Sequence, residues 1–180
     1  MKLLFIPGSG SGREEWVYQT EHFNDSEALV LPGHPDGNPC TSIDDYVEWL
    51  RSYIHRRRYQ DIILVGHSMG GAIVQLYGLR YGDEVKALVL IDTGARLRVL
   101  PTFLSALEEM TTDKGVWQKF LENIYHLIDP EIRQALIEEN MLIGPAVMLN
   151  DFLCCDKFDI IDKVNTINYQ PWLSVEVKMS

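Results

Sequence analysis

An apolar run, Ile62-Ile63-Leu64-Val65, passes directly into Gly66-His67-Ser68-Met69-Gly70-Gly71 and then into a segment with helical character. Asp61–Val65 reads as a strand whose unbroken apolar character suits burial on both faces. Gly70 to about Tyr81 reads as the following helix, with Gly82 as its stop. A serine between two glycines at a strand-to-helix junction demands a turn tight enough to lift Ser68 clear of both elements, and side chains at 66 or 70 would collide with neighbouring backbone. The turn also sets the Met69 N–H and the helix N-terminus beside the serine oxygen, where negative charge develops in acyl transfer. Ser68 is therefore the expected nucleophile; the alternative is a glycine-rich turn with an incidental serine.

The surrounding pattern alternates short apolar runs with amphipathic ones, which predicts a parallel sheet with crossover helices. Lys2–Ile6, Ala28–Leu31 and Lys86–Ile91 read as further strands, and Arg13 to about Phe23 as a helix. Ser42, with Asp45 three residues on, is a good N-cap for a helix carrying Tyr46, Trp49, Leu50 and Tyr53 on one face. After Gly94 the pattern changes. Residues 101–156 are almost wholly helical in period, with breaks at Pro130 and Gly144-Pro145. Such an insertion after an α/β core reads as a cap, or else as ordinary crossover helices. The expected division is a core over 1–96, a helical cap over 97–157 and an incomplete return to the core over 158–180.

Gly-His-Ser-Met-Gly-Gly resembles the nucleophile elbow of the α/β-hydrolase superfamily, particularly its small capped esterase-like members. Phe5-Ile6-Pro7-Gly8-Ser9-Gly10-Ser11 occupies the place of that family's His-Gly-x oxyanion loop, with Pro7 in place of the usual histidine, and Leu31-Pro32-Gly33-His34-Pro35 resembles its Pro-Gly-His-Gly turn. The likeness runs from Met1 to roughly Asp92. It implies an α/β-hydrolase fold, a mostly parallel sheet with flanking helices and a helical cap. By position it implies that the Ser9 N–H joins that of Met69 in an oxyanion hole. Serine at the elbow favours hydrolysis of esters, thioesters or lactones over epoxide or halide chemistry, which uses a carboxylate nucleophile in relatives. A non-catalytic module holding a small apolar ligand, and a lyase using the same site, are the alternatives. His34 reads as structural, and His67, beside the nucleophile in sequence, as pointing elsewhere.

The family order is serine, acid, histidine, and here the pattern fails. After Asp162–Asn168, the stretch Tyr169–Ser180 lacks the expected Pro-Thr-Leu-Val strand and acid turn, and the final strand, histidine and terminal helix are missing. Back-translating Asn168–Ser180 with permitted codons and inserting one adenine after the Asn168 codon gives Asn-Ile-Pro-Thr-Leu-Val-Ile-Cys-Gly-Ser-Lys-Asp-Glu, the expected strand and acid turn. The sequence thus predicts a frameshifted, prematurely ended hydrolase of impaired activity, lacking the catalytic acid and histidine. Asp92, after the strand that follows the elbow helix, is the best internal substitute for the acid; otherwise it caps the next turn. His126 reads as a surface or cap-packing residue. The unfinished sheet edge and the apolar cap surface predict self-association.

Composition narrows the remaining classes. The 180 residues carry a formal net charge of −10, which disfavours nucleic-acid partners. Their one basic cluster, Arg56-Arg57-Arg58, suits a helix C-terminus. Cys40, Cys154 and Cys155 form neither a metal-ligand nor a disulfide framework and read as buried free thiols in a cytoplasmic protein. Gly8-Ser9-Gly10-Ser11-Gly12 lacks the Gly-Lys-Ser/Thr ending of a phosphate loop. No metal, cofactor or membrane partner is expected, only a small ester-like substrate. Phe103, Leu104, Leu107, Trp117, Phe120, Tyr125 and Met148 are candidates either to line an acyl pocket or to pack the cap.

Overall fold

Five parallel strands form one sheet in the order β2-β1-β3-β4-β5: β1 (Lys2–Ile6), β2 (Ser26–Ala28), β3 (Ile62–His67), β4 (Ala87–Ile91) and β5 (Leu173–Ser174). The computed structural model describes residues 1–166 and 173–174. Central β3 pairs with β1 through Leu4↔Leu64 and with β4 through Leu64↔Leu88. Its position explains the unbroken apolar run, since Ile62 and Leu64 are buried on one face of the sheet and Ile63 and Val65 pack into a second cluster on the other.

Helices α1 (Val17–His22), α2 (Ile43–Arg57) and α3 (Met69–Tyr81) connect the strands. The Ser42 hydroxyl accepts the Asp45 N–H at 3.1 Å and so caps α2, while Arg56 and Arg57 lie in its last turn, where cations complement the helix dipole. Every residue of α3 from Met69 to Gly78 is buried between α2 and the sheet, which is why this helix lacks a polar face.

The second strand falls at Ser26–Ala28, not at the expected Ala28–Leu31. It pairs as Leu3↔Ser26 and Phe5↔Ala28, and the Leu29 N–H reaches the Phe5 carbonyl, after which β1 runs out at Ile6-Pro7. Leu29 and Leu31 are buried in the following loop. The apolar run marked burial, which a loop packed into the core supplies as well as a strand does.

Four helices follow β4: α4 (Pro101–Met110), α5 (Lys114–Ile124), α6 (Pro130–Ile143) and α7 (Pro145–Lys157). Proline opens α4, α6 and α7, where its missing N–H costs nothing, and Asp113 and Asp129 cap α5 and α6. Leu107, Trp117, Leu121 and Met148 make a small core of their own. Yet α7 also sends Cys154 and Cys155 into the main core under the sheet, so this helix packs into both clusters. All three cysteines are free thiols, with Cys40 half-buried.

β5 pairs with β4 through Val89↔Leu173 and Leu90↔Ser174. The rest of Asn168–Ser180, to which the frameshift expectation refers, lies outside the described residues. Among the described residues no helix is long and apolar enough to cross a membrane, and no cluster of His, Cys, Asp and Glu could hold a metal ion.

Candidate active site

Ser68 sits between β3 and α3 at φ 51°, ψ −116°, a strained conformation for a residue with a side chain. Two bonds hold it there: its N–H donates to the Ile91 carbonyl at 3.0 Å, and the Thr93 hydroxyl donates to the Ser68 carbonyl at 2.8 Å. The elbow is thus tied to the end of β4. Met69 opens α3, and its N–H makes no hydrogen bond among the described residues.

The loop after β1 faces this serine. A methyl group on Gly8 would lie 3.4 Å from Ser68 Cβ, 3.2 Å from His67 Nδ1 and 3.5 Å from Glu15 Oε2, so these three side chains converge on one spot. Alternate amides of the loop are taken up by carboxylates. Gly8 N–H donates to Glu15 at 3.0 Å, Gly10 N–H to Asp151 at 2.9 Å and Gly12 N–H to Glu139 at 3.1 Å. Between the first two, the Ser9 N–H makes no hydrogen bond among the described residues.

Ser68, His67, Gly8, Ser9 and Ser11 form the floor of a cavity of about 290 Å³. Its walls come from the four-helix segment: Phe103, Phe120, Ile124, Tyr125, Met148 and Phe152. Of the aromatic and aliphatic residues in doubt from the sequence, Phe103, Phe120, Tyr125 and Met148 reach the cavity, whereas Leu107 and Trp117 are buried inside the helical cluster. Burial pushes the Tyr125 phenol up to about 12, so it stays a neutral hydroxyl.

These features match a known family. A sequence model described as Alpha/beta hydrolase family covers residues 3–153. The chain belongs to this family. A Mycoplasma pneumoniae protein provisionally named esterase/lipase 2 is 34% identical over 97 residues, spanning 49% of this chain and 36% of that relative. Its Mycoplasma genitalium counterpart, provisionally named in the same way, is 31% identical over 199 residues, spanning 84% of this chain and 71% of the relative. A solved lipase-esterase related protein from Clostridium acetobutylicum superposes with a TM-score of 0.77 at 25% identity, covering 96% of this chain and 72% of that one. The match to the Mycoplasma pneumoniae relative thus takes in only about a third of that protein's length.

His67 departs from its expected place. His67 lines the same cavity as Ser68 instead of pointing away, and its Nδ1 meets Glu15 Oε1 at 2.8 Å. Burial opposes protonation of His67, but the hydrogen bond and charge of Glu15, with a smaller contribution from Asp92, outweigh it and raise its pKa. Neither imidazole nor carboxylate hydrogen-bonds Ser68 Oγ among the described residues. Asp92 lies exposed just past β4 at φ 45°; its side chain caps no turn and reaches no hydrogen-bond partner among the described residues. His126 is exposed, bonded to the Asn123 carbonyl.

His34 is fully buried. Its Nδ1 lies 3.1 Å from the Pro32 carbonyl, an acceptor, and its Nε2 lies 2.8 Å from Asp151 Oδ2. Both nitrogens therefore carry protons. Burial disfavours this imidazolium, but the hydrogen bond to Asp151 and that carboxylate's charge, aided by the Pro32 and Leu31 backbone, raise its pKa. Tyr46 of α2 donates to Asp151 Oδ1 at 2.8 Å. No local signal marks Asp151 or Glu15 in the sequence; each acquires its role from a loop distant along the chain.

Proposed function

We propose that this chain is a serine hydrolase that cleaves carboxylic esters or thioesters through an acyl-Ser68 intermediate. The observation that carries the reading is Ser68 itself, held in a strained turn at the mouth of the α3 N-terminus and facing an apolar cavity. Ser68 Oγ attacks the acyl carbonyl and passes its proton to solvent water, which returns one to the leaving group. The oxyanion takes hydrogen bonds from the Ser9 and Met69 N–H groups, both without a partner among the described residues. The alcohol or thiol then departs with a proton, leaving the acyl group on Ser68, and water releases the acid. Phe103, Phe120 and Met148 give the acyl chain an apolar bed. The relatives named esterase/lipase favour the same substrate class.

Acylation needs a base, and the described residues hold no imidazole on Ser68 Oγ. Turnover by residues 1–180 is therefore expected to be slow, since a serine without an imidazole on its oxygen keeps only about 10³–10⁴-fold acceleration over water. The test is hydrolysis of a short p-nitrophenyl ester together with labelling by a fluorophosphonate, each run on the chain and on Ser68→Ala. Labelling and residual turnover are expected to vanish in the variant. Equal rates in both would leave the second reading, a module that binds a small apolar ligand without turning it over.

A further inference from the structure

We propose that Asp151 is a positioning residue through which helix α7 holds the Ser9 N–H in place as an oxyanion donor, so that the hole is complete only while α7 is docked. This rests on the reading of Ser68 and Ser9 given above. Asp151 touches no substrate; it acts through the loop.

One face of α7 lies along that loop. Met148, Asp151 and Cys155 follow one another at helical spacing. Met148 packs so closely that a methyl group on Gly10 would lie 2.8 Å from its Cβ. Asp151 Oδ2 accepts the Gly10 N–H, and Cys155 Sγ lies 3.6 Å from Ser9 Oγ. Burial pushes the Cys155 thiol up to about 12, which keeps it a neutral partner.

Peptide planarity turns these contacts into an orientation. The Gly8 carbonyl and the Ser9 N–H share one trans peptide plane and point in opposite directions. The Gly8 carbonyl accepts the Ser11 N–H at 3.2 Å, which closes a turn over Gly8–Ser11 and aims the Ser9 N–H away from it. The Gly10 N–H sits at the centre of that turn, and its bond to Asp151 keeps the turn from swinging. Without the carboxylate, Gly10 would seek another acceptor and rotate the plane that carries Ser9.

The carboxylate is itself over-determined. It is wholly buried and receives His34 Nε2, Gly10 N and Tyr46 Oη, all as donors. His34 pairs with it, so Asp151 cannot rotate without leaving a buried imidazolium unpaired.

The test separates positioning from stability. Asp151→Leu alone strands His34, so the informative protein is the full chain carrying Asp151→Leu with His34→Leu, which replaces the ion pair by an apolar contact and removes the Gly10 acceptor. Tyr46→Phe is the companion, because it removes a bond to the same carboxylate and leaves Gly10 untouched. Two quantities are read: amide hydrogen exchange at Gly10 and the rate of fluorophosphonate labelling at Ser68. In the double variant, exchange at Gly10 is expected to accelerate at least about 10-fold and labelling to slow about 10–100-fold, short of the roughly 10²–10³-fold lost with a whole oxyanion donor because the Ser9 N–H is misaligned and not removed. Tyr46→Phe should label within about 2-fold of the unmodified chain, because His34 still holds the carboxylate against the Gly10 N–H. A folded double variant that labels at the original rate, or a Tyr46→Phe protein slowed as much, overturns the proposal. So does a Gly10 amide that exchanges as freely as Ser9 in the unmodified chain, with no variant needed. Should that chain fail to label at Ser68, the ester-hydrolase reading fails, and Gly10 exchange decides the role of Asp151 by itself.

Discussion

Gly70→Ala is expected to lower stability by about 3–5 kcal/mol, at the upper end of what a single added methyl does, and to abolish labelling of Ser68. A β-carbon at this position would lie 2.7 Å from the Ile6 carbonyl carbon and 2.7 Å from the Pro7 oxygen. Both atoms are backbone, in the strand and loop that face the elbow, so no side chain can move aside. Relief requires α3 to lift from β1, which pulls the helix N-terminus and the Met69 N–H away from Ser68. Gly66→Ala should behave alike, its β-carbon meeting the Gly71 nitrogen at 2.6 Å across the turn. Gly115 near the start of α5 is the contrast. An alanine there would meet only the Asp113 carboxylate at 3.3 Å on an exposed surface, and stability should stay within about 1 kcal/mol of the original. Urea unfolding of the three variants checks the ranking. A Gly70→Ala protein as stable as Gly115→Ala would mean that the elbow is looser than its contacts indicate.

The elbow was legible because its information is local. Two glycines, a serine, an apolar run before and a helical run after all fall within about twenty residues, and each is required by contacts across the same turn. The sheet and its crossover helices were legible for a related reason, since burial on one or both faces imposes a period on the sequence. Ala28–Leu31 shows the limit: an apolar run reports burial, while strand assignment also needs a neighbour long enough to pair with, and β1 ends first. The charged residues around the loop were not legible at all. Glu15 meets His67 from 52 positions away, and Asp151 meets His34 from 117. Each sits in an otherwise unremarkable helical stretch, where a carboxylate reads as a solvated face. Nothing in the local pattern says that the face is turned inward, toward amides that only the fold brings near.

That inward-turned pair should dominate the stability of the junction between α7 and the core. His34→Leu leaves the buried Asp151 anion without a counter-charge, and Asp151→Leu leaves the imidazolium facing an apolar side chain; each is expected to cost about 3–5 kcal/mol. The double replacement removes both charges together, so its cost should fall well short of the sum, with a coupling of about 2–3 kcal/mol in the cycle. Acidity gives an independent check with a definite sign. The folded pKa of His34 lies above its ordinary value of 6.5, because Asp151 outweighs burial. A folded state that holds its proton more tightly than the unfolded chain is stabilised most below the unfolded pKa, and that advantage fades as pH rises through the folded one. The difference in unfolding free energy between the unmodified chain and the double replacement, which strands neither partner, should therefore be largest at about pH 6 and shrink on going alkaline. Carboxylates elsewhere, Glu27 and Glu84 among them, titrate lower in the folded chain and contribute equally to both proteins, so the difference reports the His34–Asp151 pair. A difference that grows with pH would mean that the imidazole is buried neutral. In that case His34 would meet Asp151 through an uncharged Nε2–H, beside the bonds from Tyr46 and Gly10, and the strut from α7 to the loop would be a hydrogen-bond network in place of an ion pair.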